Sequence, residues 1–175
     1  MKFKNLLALL AAFVLCVSAQ TQQVDLAGGY NYQNSDQGNS VRTNLNGWYV
    51  SGQYDLNNHF ALTLEADNYY GAVTGEKERQ QNFVFGPQYM FLREETKYRP
   101  FLYVQAGDQR SLTGDDVEHA FNLQVGGGVQ VKLSERFALQ LTPAEYSFVK
   151  AVSGPTHSIS AKVGMSWTLW KKPKA

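Results

Sequence analysis

A single cysteine, three histidines and five prolines among 175 residues exclude several chemistries at once. The cysteine, Cys16, lies in an amino-terminal stretch, residues 1–19, that reads as a secretory signal peptide. Lys2 and Lys4 precede an apolar run from Leu6 to Val17, and Val17-Ser18-Ala19 supplies the small or moderate residues of a cleavage site after Ala19. That run of twelve residues is well short of the ~20 a membrane helix needs. Leu15, directly before Cys16, is too bulky for lipoprotein processing. Export without any remaining cysteine excludes the disulfide-stapled secreted scaffolds. Losing Lys2 and Lys4 reduces the sixteen Lys and Arg to fourteen, against fifteen Asp and Glu. A net charge near −1 lacks the basic footprint that nucleic-acid partners require. No second apolar run is long enough to be a membrane helix, so a membrane location would require a closed barrel, the other structure that satisfies every backbone group in hydrocarbon.

Period-two alternation fills the chain instead. Val24, Leu26, Gly28, Tyr30 and Tyr32 alternate with Asp25, Ala27, Gly29 and Asn31. Trp48, Val50, Gly52 and Tyr54 oppose Tyr49, Ser51, Gln53 and Asp55, and Phe60, Leu62, Leu64 and Ala66 oppose Ala61, Thr63, Glu65 and Asp67. The same pattern recurs over 83–91, 101–107, 121–133 and 137–142. The eighth segment, 157–170, sets Ile159, Ala161, Val163, Met165, Trp167 and Leu169 against Ser158, Ser160, Lys162, Gly164, Ser166 and Thr168. Successive strand side chains point to opposite faces, so each segment has one apolar and one polar face. Short polar links at 56–58, 93–99 and 134–135 alternate with expected loops of about ten residues at 33–43, 71–81, 110–118 and 147–156. The expectation is an all-β, eight-stranded antiparallel up-and-down transmembrane β-barrel over residues 20–170, followed by a short basic tail, 171–175.

A soluble barrel with an apolar cavity is the structural rival. Its outer face would here be built from glycine, alanine, serine and glutamine, with few charges for a solvated surface. An eight-stranded barrel has an interior just wide enough to be filled by side chains, which suits that small polar set. The bulkier apolar set carries aromatics near the strand ends: Tyr54, Phe60, Phe91, Phe137 and Trp167 toward the short turns, and Tyr30, Tyr32 and Phe83 toward the loops. Two aromatic girdles around an aliphatic belt suit a lipid-facing surface.

In this pattern the chain resembles the small outer-membrane β-barrels of diderm bacteria, and is similar to the OmpA-type transmembrane domain. The resemblance covers residues 22–170 in architecture. Its most specific part is Lys162-Val163-Gly164-Met165-Ser166-Trp167-Thr168-Leu169. This stretch matches the C-terminal signal read by the barrel-assembly machinery, with Lys162, Gly164, Trp167 and Leu169 at the defining positions. The resemblance implies the bacterial outer membrane as location, its lipid and the assembly machinery as partners, and no cofactor. The chain departs from the pattern in continuing past the signal with Trp170 and the basic tail.

Asp25, Glu65, Asp67, Lys132 and Lys162 fall in the lumenal register and form a candidate charge network. Charges inside a narrow barrel need partners, and a salt-bridged plug is the expected use, with a gate or ion path as the functional alternative. An enzyme acting on lipid has the weakest support. His157, Ser158, Ser160 and Glu145 are near one another in sequence, but both serines point inward and no catalytic grouping is evident. His59 and His119 lie at opposite ends of their strands, so no metal site is expected. Gly126-Gly127-Gly128 lacks the Lys-Ser/Thr and helix of a phosphate loop and fits close packing in a sheet. Pro87 is expected to mark a bulge in the fourth strand, and Pro143 to end the regular pairing of the seventh. The functional expectation is a structural or surface-interaction barrel with a largely plugged lumen. The alternative is a narrow pore for ions or very small solutes, and no external ligand is indicated.

Overall fold

The computed structural model describes residues 23–36, 42–73, 76–92, 96–113, 116–151 and 154–171, so the signal-peptide stretch and tail residues 172–175 lie outside the described residues. Eight strands follow one another: β1 (Gln23–Asp36), β2 (Arg42–Asp55), β3 (Phe60–Val73), β4 (Glu76–Met90), β5 (Tyr98–Thr113), β6 (Asp116–Lys132), β7 (Phe137–Ala151) and β8 (Gly154–Lys171). Each pairs antiparallel with its sequence neighbours, and β8 returns to β1, closing the barrel. Closure leaves no sheet edge, which a bilayer would not tolerate. A circuit of paired residues from Gln23 through Asp55, Ala61, Gln88, Tyr103, Gly126, Glu145 and Ser160 ends on Gln33, further along β1. The strands are therefore tilted against the barrel axis, as closure requires.

The two faces follow the alternation. Leu26, Trp48, Val50, Leu64, Phe85, Leu102, Val125, Val163, Met165 and Leu169 are exposed on the outside, while Asn31, Gln33, Gln53, Asn82, Gln105, Asn122 and Gln124 are buried in the lumen. An apolar exterior over a polar interior inverts the arrangement of a water-soluble barrel and suits hydrocarbon outside. At the short-turn end Phe60 and Phe91 both pack edge-on against Tyr89, and Phe137 stacks on Trp167 at 6.2 Å between centroids. At the other end Tyr32 donates to Asn44 Oδ1 at 2.9 Å. Rings with one wet and one apolar side suit the two interfaces.

Side-chain oxygens fix two of the short turns. Asn57 Oδ1 accepts the backbone N–H of His59 at 2.8 Å and of Phe60 at 2.9 Å, and Ser134 Oγ accepts that of Phe137 at 3.2 Å. At the opposite end the expected ten-residue loops are corrected. Residues 33–36, 42–43, 71–73, 76–81, 110–113, 116–118, 147–151 and 154–156 belong to strands, leaving only 37–41, 74–75, 114–115 and 152–153 between them, outside the described residues. Their polar composition suggested loops, yet the backbone ladder continues and polar side chains pair across it, as with Asn34 Nδ2 and Asn44 Oδ1 at 2.8 Å. β8 has 18 residues, whereas a tilted strand crosses hydrocarbon in ~9–11. The sheet therefore extends beyond the bilayer.

The two prolines behave differently from each other. Pro87 keeps register with Leu62 on β3, and the β4–β5 pairing has the same register on both sides of it, so the expected bulge is absent. Its side chain points outward, and only local ladder bonds toward β5 are lost. Pro143 does interrupt regular pairing. The β7–β8 register shifts between Thr142 and Glu145, and the matching shift on the β6 side falls between Gly127 and Val129. One extra residue is thus carried by β7, as in a β-bulge.

Candidate functional site in the lumen

The bulge has a direct chemical consequence. Along β7, Gln140 and Thr142 face inward, Pro143 and Ala144 are both exposed outside, and Glu145, Ser147 and Val149 face inward again. The change of parity puts Glu145 in the lumen. There Lys162 Nζ lies 2.8 Å from Glu145 Oε2, 2.5 Å from Glu65 Oε1 and 3.2 Å from Asp67 Oδ1. All four side chains are buried.

Neutral groups complete the cluster. Asn31 Nδ2 donates to Asp67 Oδ1 at 3.0 Å, Ser160 Oγ donates to Glu145 Oε1 at 2.8 Å, and the Tyr103 hydroxyl donates to Glu145 Oε2. The Tyr49 ring lies 5.8 Å from the Lys162 ammonium, within cation–π range. Two glycines leave room for these rings. A Cβ at Gly126 would come within 2.5 Å of the Tyr103 ring and hydroxyl, and one at Gly164 within 2.5 Å of the Tyr49 hydroxyl. Gly164 thus has a packing role in addition to its place in the assembly-signal pattern.

β3 and β7 lie on opposite sides of the closed order, so Lys162 ties carboxylates across the lumen. Toward the short turns, Met90, Phe101 and Tyr103 form an apolar cluster inside the barrel, with the Phe101 and Tyr103 rings stacked at 6.1 Å. Hydrogen-bonded charges above and stacked rings below occupy the narrow interior.

Of the five residues expected in a lumenal network, the structure brings together Glu65, Asp67 and Lys162. Asp25 is buried nearer the short-turn mouth, where the Gln23 amide lies 2.8 and 2.7 Å from its two oxygens. Lys132 does not join the cluster: its ammonium lies 3.5 Å from Glu135 at the rim, because β6 ends there. Glu145, Tyr103, Tyr49 and Asn31 complete the group. Tyr49 and Asn31 were legible as inward positions, whereas Glu145 depended on the parity change at Pro143.

The residues weighed for catalysis are separated by the sheet. His157 is exposed outside and its Nδ1 lies 2.5 Å from the Tyr146 hydroxyl, while Ser158 and Ser160 are buried inside. His59 Nδ1 lies 2.9 Å from the Met90 carbonyl oxygen, and His119 Nδ1 lies 2.8 Å from Asp108 Oδ2. Among the described residues no group of three or more His, Cys, Asp or Glu has a metal-binding arrangement.

A closed barrel with an apolar exterior and a polar, charged lumen defines a transmembrane β-barrel protein. The family model for the outer membrane protein beta-barrel domain matches residues 6–166, and the chain belongs to that family. No curated protein matches it in sequence. Among solved structures it is similar to Neisserial surface protein A, at 13% identity and TM-score 0.70, covering 85% of this chain and 97% of that one. It is also similar to OprG of Pseudomonas aeruginosa, at 9% identity and TM-score 0.63, covering 87% and 98% respectively. Ail, the attachment invasion locus protein of Yersinia pestis, is 13% identical with TM-score 0.56 over 85% of this chain and 99% of that one. These likenesses show the shared fold.

Proposed function

We propose that this protein is a plugged outer-membrane barrel whose work is structural or a surface interaction at its external end. The observation that carries this reading is the Lys162 cluster, which spans the lumen from β3 to β7 and β8 where a solute would have to pass. The strand extensions beyond hydrocarbon supply a rigid external rim, and rims and loops on rigid scaffolds are where binding groups are usually displayed. A surface role also agrees with the names of two structural neighbours, a surface protein and an attachment protein. On this reading residues 1–19 direct export, Lys162, Gly164, Trp167 and Leu169 address the chain to the assembly machinery, and outer-membrane lipid surrounds it.

A narrow pore for ions or very small solutes is the second reading, and one observation favours it. Both amide atoms of Asn122 and of Gln124 are buried without a hydrogen-bond partner from the protein. Buried polar groups of this kind normally take water, which would hydrate the lumen toward the external end. Single-channel recording in planar bilayers separates the readings. The plugged barrel passes no reproducible current, and Lys162→Ala or Glu145→Ala opens one. A steady wild-type conductance that disappears on altering Glu65 or Lys162 would establish the pore instead.

A further inference from the structure

Arg99, at the start of β5, is buried at 6% exposure, yet its Nε and Nη2 have no hydrogen-bond acceptor within the protein. These two nitrogens form one edge of the guanidinium. Their parallel N–H bonds match two oxygens of an oxyanion, a geometry that lysine cannot reproduce. Asp55 Oδ2 lies 3.6 Å from Nη2, near enough for charge attraction and too far for a hydrogen bond. The other Asp55 oxygen, Oδ1, accepts the Gln53 amide at 2.6 Å.

Arg99 lines a cavity at the short-turn mouth together with Lys132, Arg136, Ser166 and Thr168. Asp25 and Glu135 also line it. Both of these acids are engaged, Asp25 by the Gln23 amide and Glu135 by Lys132 at 3.5 Å. Leaving buried donor N–H groups of a cation without acceptors is costly, and the cavity gives a small ligand access to them from the short-turn end.

We propose that this mouth cavity binds a small free oxyanion of the phosphate type on the Nε and Nη2 edge of Arg99, with Lys132 and Arg136 forming its outer cationic wall. The edge lies inside the barrel wall, whereas lipid acyl chains remain outside, so a free ion fits better than a lipid headgroup. The site lies on the short-turn side of the Lys162 cluster and does not depend on whether the lumen conducts.

The test uses the full mature chain, refolded in a detergent without phosphate and labelled with 15N-arginine. Inorganic phosphate should shift the Arg99 Nε–H resonance saturably. Phosphorus relaxation of the added phosphate gives affinity in every variant, with folding checked by heat-dependent gel mobility. Arg99→Lys, which keeps charge and loses the fork, should weaken binding about tenfold, the scale of one charge-assisted hydrogen bond. Asp55→Asn keeps Arg99 and removes the nearby competing carboxylate, so it should tighten binding. This second variant tests the site even where Arg99→Lys fails to fold. Absence of a saturable shift, or unchanged phosphate affinity in both variants, overturns the site. Competition by soluble glycerophosphoethanolamine at least equal to that of phosphate overturns the assignment to a free ion.

Discussion

Lys162 on β8 and Glu145 on β7 meet 2.8 Å apart inside the barrel, although the residue paired with Lys162 on β7 is Thr142, three positions earlier. Regular alternation from Thr142 would send Glu145 outward into the lipid. The extra residue at Pro143 reverses that parity, so one irregular position in the backbone determines which carboxylates the lumenal ammonium meets.

Deleting Pro143 should therefore be tolerated, whereas deleting a regularly paired residue beyond it should not. Without the extra residue, Ala144 takes the single outward place between Thr142 and Glu145, the pairing with β6 and β8 runs on unshifted, and Glu145, Ser147 and Val149 still face inward. Deleting Tyr146 instead keeps Ser147 in register only by using up the bulge, which turns Glu145 outward and exposes a carboxylate to hydrocarbon. A chain lacking Pro143 should still give the heat-modifiable, protease-resistant barrel, and one lacking Tyr146 should not. Pro143→Ala keeps the residue count and should cost about 1 kcal/mol or less, as for an ordinary surface change. Equal folding yields from the two deletions in lipid vesicles would show that parity is not set at this bulge.

Lys162→Met should be the most destabilising single change in the lumen. It leaves Glu65, Asp67 and Glu145 buried together without their shared cation. Breaking a buried ion pair from one side costs ~3–5 kcal/mol. Lys132→Met should cost less than about 1 kcal/mol, because its partner Glu135 is 87% exposed and the pair lies at the rim. Urea unfolding midpoints in vesicles measure the contrast, and similar losses in the two variants would count against a central role for Lys162.

The eight strands, their order and their inward and outward faces were legible because alternation persists wherever one face meets lipid and the other a packed interior. Inward positions such as Glu65, Asp67 and Lys162 followed directly. Two things were not legible. Polar composition at 33–36 and 76–81 suggested loops, because sequence polarity alone does not distinguish solvated strand from loop. Parity after Pro143 was lost because a bulge inverts every later position. Pro87, equally suspicious in sequence, leaves register intact on both sides. A proline thus indicates where a ladder is weakened, while the pairing on both sides determines whether a residue is added. Which charges meet depends on strand stagger, which no single strand records.

Tyr103 and Gly126 should show strong energetic coupling. They are paired across β5 and β6, and the three atoms nearest a Cβ at Gly126 all belong to Tyr103. Gly126→Ala should push the ring aside and break the hydroxyl's hydrogen bond to Glu145. Much of that loss should be absent when Tyr103 is already alanine. A double-mutant cycle should give a coupling of ~0.5–3 kcal/mol, the range for residues in contact. Additive costs would indicate that the ring has another place to go.

The orientation of the barrel faces can be tested by placing the same charge at two depths. Leu64 lies within β3 and is 65% exposed on the outside, while Leu133 follows β6 at the short turns and is 59% exposed. In a water-soluble barrel an arginine at either exposed site would be nearly neutral. In a bilayer the cost follows depth: ~2–4 kcal/mol near the midplane and ~0–1 near the interface. Leu64→Arg should therefore lower stability in vesicles by a few kcal/mol while Leu133→Arg hardly changes it. Thinner bilayers should narrow the difference by bringing position 64 closer to water. Equal effects at the two positions would remove the support that exposed apolar residues give to a lipid-facing surface.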